Sequence, residues 1–300
     1  MSASKEAISA PTNTTDREIF QTRIFDAPRE LVWKVWTEPE HIGKWYGPIG
    51  FKTVTEKMDV KPGGEWIHVM HGPDGRKYDN KLVYVEIAKP ERIVYDHVSP
   101  PPFRTTVTFE KLGEKPAEKT QLSMRMVFES VELRDKVAKE FRAVEGLTQT
   151  LGRLGEHLAS YPVIVERSLA APIATVWKAL TERAQMKRWF FPTLESFQPE
   201  VGFQTEFDVQ HNGKNYPHQW KVVKVVPESR IAFEWQYKGH AGNSLVTIEL
   251  FRENNGTRLK LTHEGLETFP QDTSDFVRGN FVMGWNHFIN EKLPEYLAAH

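Results

Sequence analysis

The stretch VWKVWTEPEHIGKWYGP, residues 32–48, is answered 144 residues later by VWKALTERAQMKRWFFP, residues 176–192. Under that shift Arg23 aligns with Arg167, Ala27-Pro28 with Ala171-Pro172, and Val32-Trp33-Lys34 with Val176-Trp177-Lys178. Thr37-Glu38, Trp45 and Pro48 meet Thr181-Glu182, Trp189 and Pro192, so ten of the 26 positions from Arg23 to Pro48 agree without a gap. So long a period exceeds any solenoid unit, and each copy reads as a domain with its own core. GRKY (75–78) against GKNY (213–216), and PERI (90–93) against PESRI (227–231), continue the likeness. The sequence thus divides into a tail over 1–16, expected to be disordered, a first domain over 17–160 and a second over 161–300. The seam falls at LASYPV, residues 158–163.

Both copies follow one plan. A strand near 17–25 leads into a short helix with Pro28 in its first turn, where a missing N–H costs nothing. TEPE (37–40) has the form of a capping box for a second short helix. EWIHVM, KLVYVEI, RIVYDHV, RTTVTFE and QLSMRMVF then read as strands separated by turn signals, a six-strand antiparallel meander. In the first copy Leu133, Val137, Phe141, Val144, Leu147, Leu151, Leu154 and Leu158 recur at spacings of three and four. That stripe predicts one continuous helix about 39 Å long, interrupted by Gly146, Gly152 and Gly155, which leave room for close approach or for something else. In the second copy the stripe is Val277, Phe281, Trp285, Phe288 or Ile289, and Leu293, and Pro294 is expected to kink or end it. Each domain is therefore α+β, a curved antiparallel sheet wrapped around a long C-terminal helix, with two short helices after the first strand.

Composition narrows the chemistry. The chain has no cysteine, which removes disulfides, thiolate metal sites and cysteine nucleophiles together. A net charge of −1, with acids and bases balanced in each half, offers no field for nucleic acid or an anionic membrane. No apolar run approaches the roughly 18 residues that span a bilayer, and the polar N-terminus lacks a signal-peptide core. A cytoplasmic location is expected.

On APRELVWKVWTEPEHIGKWYGP, PGGEWIHVMHGPDGRKY and KPERIVYDH, the chain resembles the activator-of-heat-shock-protein-90-ATPase homologue family. That family lies within the SRPBCC superfamily of START-like, helix-grip domains. The second copy resembles it through APIATVWKALT, RWFFP and PESRI. The resemblance implies the helix-grip fold twice. It implies a choice among binding of lipids or other hydrophobic molecules, cyclase or hydrolase activity, and co-chaperone function. Two departures matter. Both halves are of helix-grip type, leaving no place for the namesake's separate chaperone-binding domain, and the second copy carries PEVGFQ in place of PGGEW.

Aligning the copies strand by strand marks the candidate pocket. Trp66, His68 and Met70 match Thr205, Phe207 and Val209; His97 matches Trp235; and Met126, inward with Met124, matches His263. Together with Trp45, Trp189 and Trp285, all of these except Thr205 and Val209 are the candidate ligand-binding residues, a few polar groups in an apolar concavity. His68 and His71 lie three apart on a strand and point to opposite faces, and no other histidine spacing suits a metal, so no metal site and no cofactor are expected. No G-x-S-x-G elbow occurs, and Gly63-Gly64 is a turn, not a phosphate cradle. The reading is non-catalytic binding of a small hydrophobic or aromatic ligand in one or both domains. The alternatives are a chaperone-associated interaction module, or a cyclase- or hydrolase-type enzyme using His68 or His263 as acid–base. Gly47, where the second copy has Phe191, and Trp36, where it has Leu180, would make the two mouths unlike.

Overall fold

A computed structural model of the chain describes residues 14–270 and 275–299. Residues 1–13 of the expected tail lie outside the described residues, whereas Thr15–Arg17 at its end form a 3-10 turn, not a disordered segment. The Arg17 guanidinium donates to the Phe128 carbonyl. The chain divides into two compact units, residues 14–112 with 119–155, and residues 113–118 with 156–299.

In the first unit β1 (Glu18–Phe25) is followed by α1 (Arg29–Thr37) and α2 (Pro39–Trp45). The meander then runs through β2 (Lys52–Met58), β3 (Glu65–His71), β4 (Lys77–Ala88), β5 (Arg92–His97), β6 (Phe103–Leu112) and β7 (Lys119–Phe128). All seven strands join one antiparallel sheet in the order β1-β7-β6-β5-β4-β3-β2. Two helices close the domain, α3 (Val131–Glu140) and α4 (Ala143–Ala159).

The predicted single helix is thus two. Arg142 has a φ of +48°, left-handed backbone that no right-handed helix admits, and α4 starts afresh after it. Phe141 and Val144, expected on the buried stripe, are exposed at this break, while Leu147, Leu151, Leu154 and Leu158 beyond it are buried. The α4 glycines serve close approach. A Cβ on Gly146 would lie 3.3 Å from Pro48, and one on Gly155 would lie 3.4 Å from the Arg23 guanidinium.

The second unit repeats the plan with β8 (Val163–Leu169), α5 (Ile173–Thr181), α6 (Arg183–Trp189), β9 (Gln204–His211), β10 (Lys214–Val226), β11 (Arg230–Tyr237), β12 (Ser244–Glu253) and β13 (Gly256–Glu264). Its sheet has six strands, ordered β8-β13-β12-β11-β10-β9. The counterpart of β2 is missing, because residues 194–199, which include Phe197 and Pro199, form no strand. The meander therefore has five strands here, not the six expected of each copy. The C-terminal helix comprises α7 (Arg278–Asn286), a π-helical stretch His287–Lys292, and α8 (Leu293–Ala298), with right-handed backbone at each junction. Pro294 neither ends nor breaks it. The wider π turn accommodates a residue without an N–H whose ring would clash with the carbonyl four residues back.

Identical interactions recur in both copies. The Trp45 indole N–H donates to the Val35 carbonyl at 3.0 Å, and Trp189 donates to Ala179 at 2.9 Å. The last carbonyls of a helix lack intrahelical donors, so each indole satisfies one and pins the second short helix on the first. Thr120 and Thr257 donate from the sheet to the carbonyls of Ala27 and Ala171. Thr37 and Thr181 donate to Trp33 and Trp177 one turn back. That use of Thr37 replaces the expected capping box: Glu38 is the N-cap of α2, and its side chain makes no cap bond. A register shift recurs as well, between Tyr84 and Glu86 on β4 and between Val222 and Lys224 on β10. Such bulges bend the long strand and curl the sheet around its helix.

Because the indole bond and part of the buried ring volume are lost, Trp45→Phe and Trp189→Phe should each cost about 1–3 kcal/mol. Urea unfolding of the full chain followed by far-UV circular dichroism measures this, and an unshifted midpoint would contradict the assignment.

Candidate functional site

Strand pairing places the equivalences directly. Leu82 faces His97 and Trp220 faces Trp235, so His97 and Trp235 occupy one slot. Met126 faces Thr105 and Ile19, while His263 faces Val246 and Val163, which makes them equivalent too. The same comparison sets His68 against Phe207 and Asn80 against His218.

In the second domain a cavity of about 770 Å³ lies between the inner faces of β9–β11 and the C-terminal helix. Phe191, Trp235, Tyr237, Phe276, Phe281, Trp285 and Phe288 supply aromatic wall, and Val209, Tyr216 and His218 line the sheet side. Lys214 and Asp275 also line it and are paired with each other at 2.9 Å. Gly284 lies on the helix side, and a Cβ built on it meets nothing within 4 Å. The π turn settles the alternative at residues 288 and 289. Ile289 is fully buried in the core, and Phe288 lines the cavity with its edge toward Phe191.

Behind this wall runs a buried hydrogen-bond chain with every direction determined. The Trp285 indole N–H donates to His263 Nδ1 at 2.9 Å. A ring nitrogen that accepts carries no proton, so Nε2 bears it and donates to Ser244 Oγ at 2.8 Å. Ser244 in turn donates to the Trp235 carbonyl at 2.9 Å. His263 is fully buried, and burial pushes its pKa down to about 3, so the ring is neutral with both nitrogens engaged.

His218 is tuned differently. Its Nδ1 donates to the Tyr216 carbonyl at 2.7 Å, which leaves Nε2 as a lone-pair acceptor. Burial lowers its pKa to about 4, against a smaller upward pull from that carbonyl bond. Phe207 stacks on its ring at 5.2 Å and Tyr237 stands edge-on at 4.7 Å. The Trp235 N–H, buried, has no hydrogen-bond partner at bonding distance. An interaction of that N–H with the Tyr237 hydroxyl opposes the rise burial imposes on that phenol.

The first domain fills the matching region with its own side chains. Trp66 stacks on His68 at 4.0 Å, its indole donating to Thr55, and Tyr46 meets both rings edge-on. Where Phe191 stands in the second copy, Gly47 adopts a φ of +110°, and Met70 reaches to 2.8 Å from where a Cβ would be. His97 stacks on Phe103 at 4.5 Å, its ring nitrogens facing the Pro101 carbonyl and the Asn80 amide oxygen. Met124 and Met126 are buried on β7. His68 is 2% exposed, its Nδ1 has no partner, and burial with the neighbouring His97 lowers its pKa to about 3.

Of the twelve candidate residues the structure therefore brings Trp235 and Trp285 to the cavity wall, with His263 and Phe207 one layer behind. Trp45 and Trp189 are core residues that bond to the helix before them. Trp66, His68, Met70, His97, Met124 and Met126 belong to the first domain's packing. His218, Tyr216 and Tyr237 were not among the candidates, although Tyr216, His218 and Trp220 alternate on one face of β10. Against the expectation of no metal-ligand grouping, Glu38, Glu40 and His41 bring one ligand atom each within 4.8 Å of one another at the start of α2. Glu38 there already faces both His41 and Lys34.

Comparison with known proteins matches residues 26–159 and again 170–298 to the family described as Activator of Hsp90 ATPase homolog 1-like protein. Among solved structures, a protein from Nitrosomonas europaea is 24% identical, covering 48% of this chain and 95% of that one, with a TM-score of 0.44. A protein from Arthrobacter aurescens is also 24% identical, covering 50% and 91%, with a TM-score of 0.44. A third, from Chromobacterium violaceum, is 24% identical over 46% and 94%, with a TM-score of 0.40. No curated protein matches the chain. Among the described residues no helix is long and apolar enough to cross a membrane.

The buried histidines carry a pH signature. An unfolded His68 takes up a proton below about pH 6.5, and the folded one only near pH 3. Stability is thus fully present above the unfolded pKa and declines as pH falls, by about 2 kcal/mol at pH 5 from this residue. His68→Phe, the side chain its counterpart carries, should remove that part of the decline. Urea midpoints at pH 8 and pH 5 test it; an equal pH effect in both proteins would contradict it.

Proposed function

This chain belongs, twice over, to the Activator of Hsp90 ATPase homolog 1-like family, and from that premise we propose that its second domain binds a small hydrophobic or aromatic molecule without chemical change. The fold makes it a ligand-binding or interaction module; the cavity between β9–β11 and α7 favours the first.

The observation that carries the reading is Gly284. A glycine inside a helix costs roughly 1 kcal/mol relative to alanine. Gly256 lies against the backbone of Leu169 and needs its lack of a side chain, but Gly284 faces open space. What its missing side chain preserves is volume beside an aromatic wall, and a concave site of several hundred Å³ that joins an apolar wall to polar groups is a usual form of a small-molecule site.

The acid–base alternative finds less support. General acid–base work needs a ring nitrogen free to exchange its proton near a reacting group. His263 uses both nitrogens inside the chain from Trp285 to Trp235, and His68 has no carboxylate at bonding distance among the described residues.

Gly284→Ala should raise stability by about 1 kcal/mol and leave binding nearly intact. Gly284→Phe should fold and fill the cavity. Thermal-shift screening of both variants and the parent against a library of neutral hydrophobic compounds is the test. Hits for the parent that persist in Gly284→Ala and vanish in Gly284→Phe support the site. Hits indifferent to residue 284, or none at all, would overturn it.

A further inference from the structure

The cavity changes character from one end to the other, and both of its walls change in the same direction. On the sheet wall the β9–β10 hairpin turns at Asn212 and Gly213, so His211 and Lys214 stand opposite each other at its tip. From Lys214 the inward face of β10 runs through Tyr216 to His218, passing from exposed through half-buried to buried. Four residues of strand separate Lys214 from His218, a run of about 13 Å. Beyond His218 the wall ends on Phe191, whose ring packs on His218, Trp235 and Phe288 at 5.2, 6.0 and 5.2 Å.

The helix wall repeats the gradient. Lys214 Nζ donates to both Asp275 oxygens at 2.9 and 3.1 Å, and the Asn280 side-chain amide donates to the Asp275 carbonyl at 2.9 Å. The start of α7 therefore lies at the hairpin tip. Gly284 follows about one turn beyond Asn280 and Phe288 about two turns beyond, roughly 12 Å away. Lys214 and Asp275 are the charged residues of the described lining, so both signs of charge gather at one end and phenyl rings at the other. The Lys214 side chain is 62% exposed, so water screens that ion pair and a ligand group displaces either partner at little cost.

We infer that the second-domain cavity takes an elongated amphiphile of two-ring length, its apolar end against Phe191 and Phe288 and a single polar head between Lys214, Asp275 and Asn280. The inference rests on the binding function proposed above and adds the ligand's shape and direction. Tyr216, Tyr237 and Phe276, in ring contact with one another, form an aromatic collar between the two ends, and Gly284 leaves space midway along the helix side. The head is neutral or of either sign, since Lys214 answers an anion and Asp275 a cation in partly solvated surroundings. The far end admits no charge, because an ionised group among phenyl rings loses its water and gains no partner.

Four biphenyls decide the matter on the full-length chain by titration calorimetry: biphenyl-4-methanol, biphenyl-4-carboxylate, biphenyl-4-methylammonium and biphenyl-4,4′-dicarboxylate. The three with one polar end should bind within about tenfold of one another. The dicarboxylate, forced to bury its second charge, should bind roughly 100-fold or more weakly than the monocarboxylate. Lys214→Met should weaken the monocarboxylate a few-fold, tighten the ammonium and leave the alcohol unchanged, and Asp275→Asn should do the reverse. A dicarboxylate that binds as well as the monocarboxylate, or an alcohol that binds while both charged heads fail, would overturn the inference and leave an undirected apolar pocket standing. Binding of none of the four would overturn it too, and joined to an empty thermal-shift screen would overturn the binding function as well. The unmodified protein alone separates these outcomes, so a variant that fails to fold does not blur them.

Discussion

The second domain is organised by one hydrogen-bonded chain, from the Trp285 indole through His263 and Ser244 to the Trp235 carbonyl. It ties α7 across β13 and β12 to β11, and all its members are buried. Breaking any link strands a buried polar group at a cost of about 1–3 kcal/mol. Movement of the helix toward the sheet at Trp285 would therefore break that chain. Gly284 and Phe288, on the same helix, line the space beside that chain.

The first domain shows what happens without that constraint. By strand pairing, Phe103 stands where Ser244 does and Met126 where His263 does, so the polar chain is replaced by apolar side chains. The frame is shared: the same indole-to-carbonyl bond between the short helices, the same threonine bonds, the same bulge in the longest strand. The filling is not. Gly47 admits Met70, and Trp66 stacks on His68. Duplication supplied two equal frames, and substitution at a few inward positions gave them different interiors.

Much of the frame was legible in the sequence, because the interactions that build it depend on spacing. Alternation with period two placed Met126 against His263 and His97 against Trp235 without coordinates. The tryptophans at 45 and 189 each bond to a carbonyl of the preceding helix; nothing in a spacing says whether an indole N–H meets a ligand or a carbonyl ten residues back. The unbroken stripe from Leu133 to Leu158 concealed a break, since periodicity is blind to the sign of one residue's φ at Arg142. Gly284 and His218 escaped for a related reason. A cavity is a difference of a few ångströms between packed and unpacked, and it leaves no mark on a hydrophobic pattern.

The central claim, that the second domain holds open an aromatic cavity for a ligand, is most directly tested by NMR of the protein labelled with ¹⁵N at its nine tryptophans. Titration with a neutral naphthalene-sized aromatic should shift the indole N–H resonance of Trp235 and leave those of Trp45 and Trp189 in place. Uniform small shifts across all the indoles, or movement of Trp45 and Trp189 with Trp235 unmoved, would contradict it.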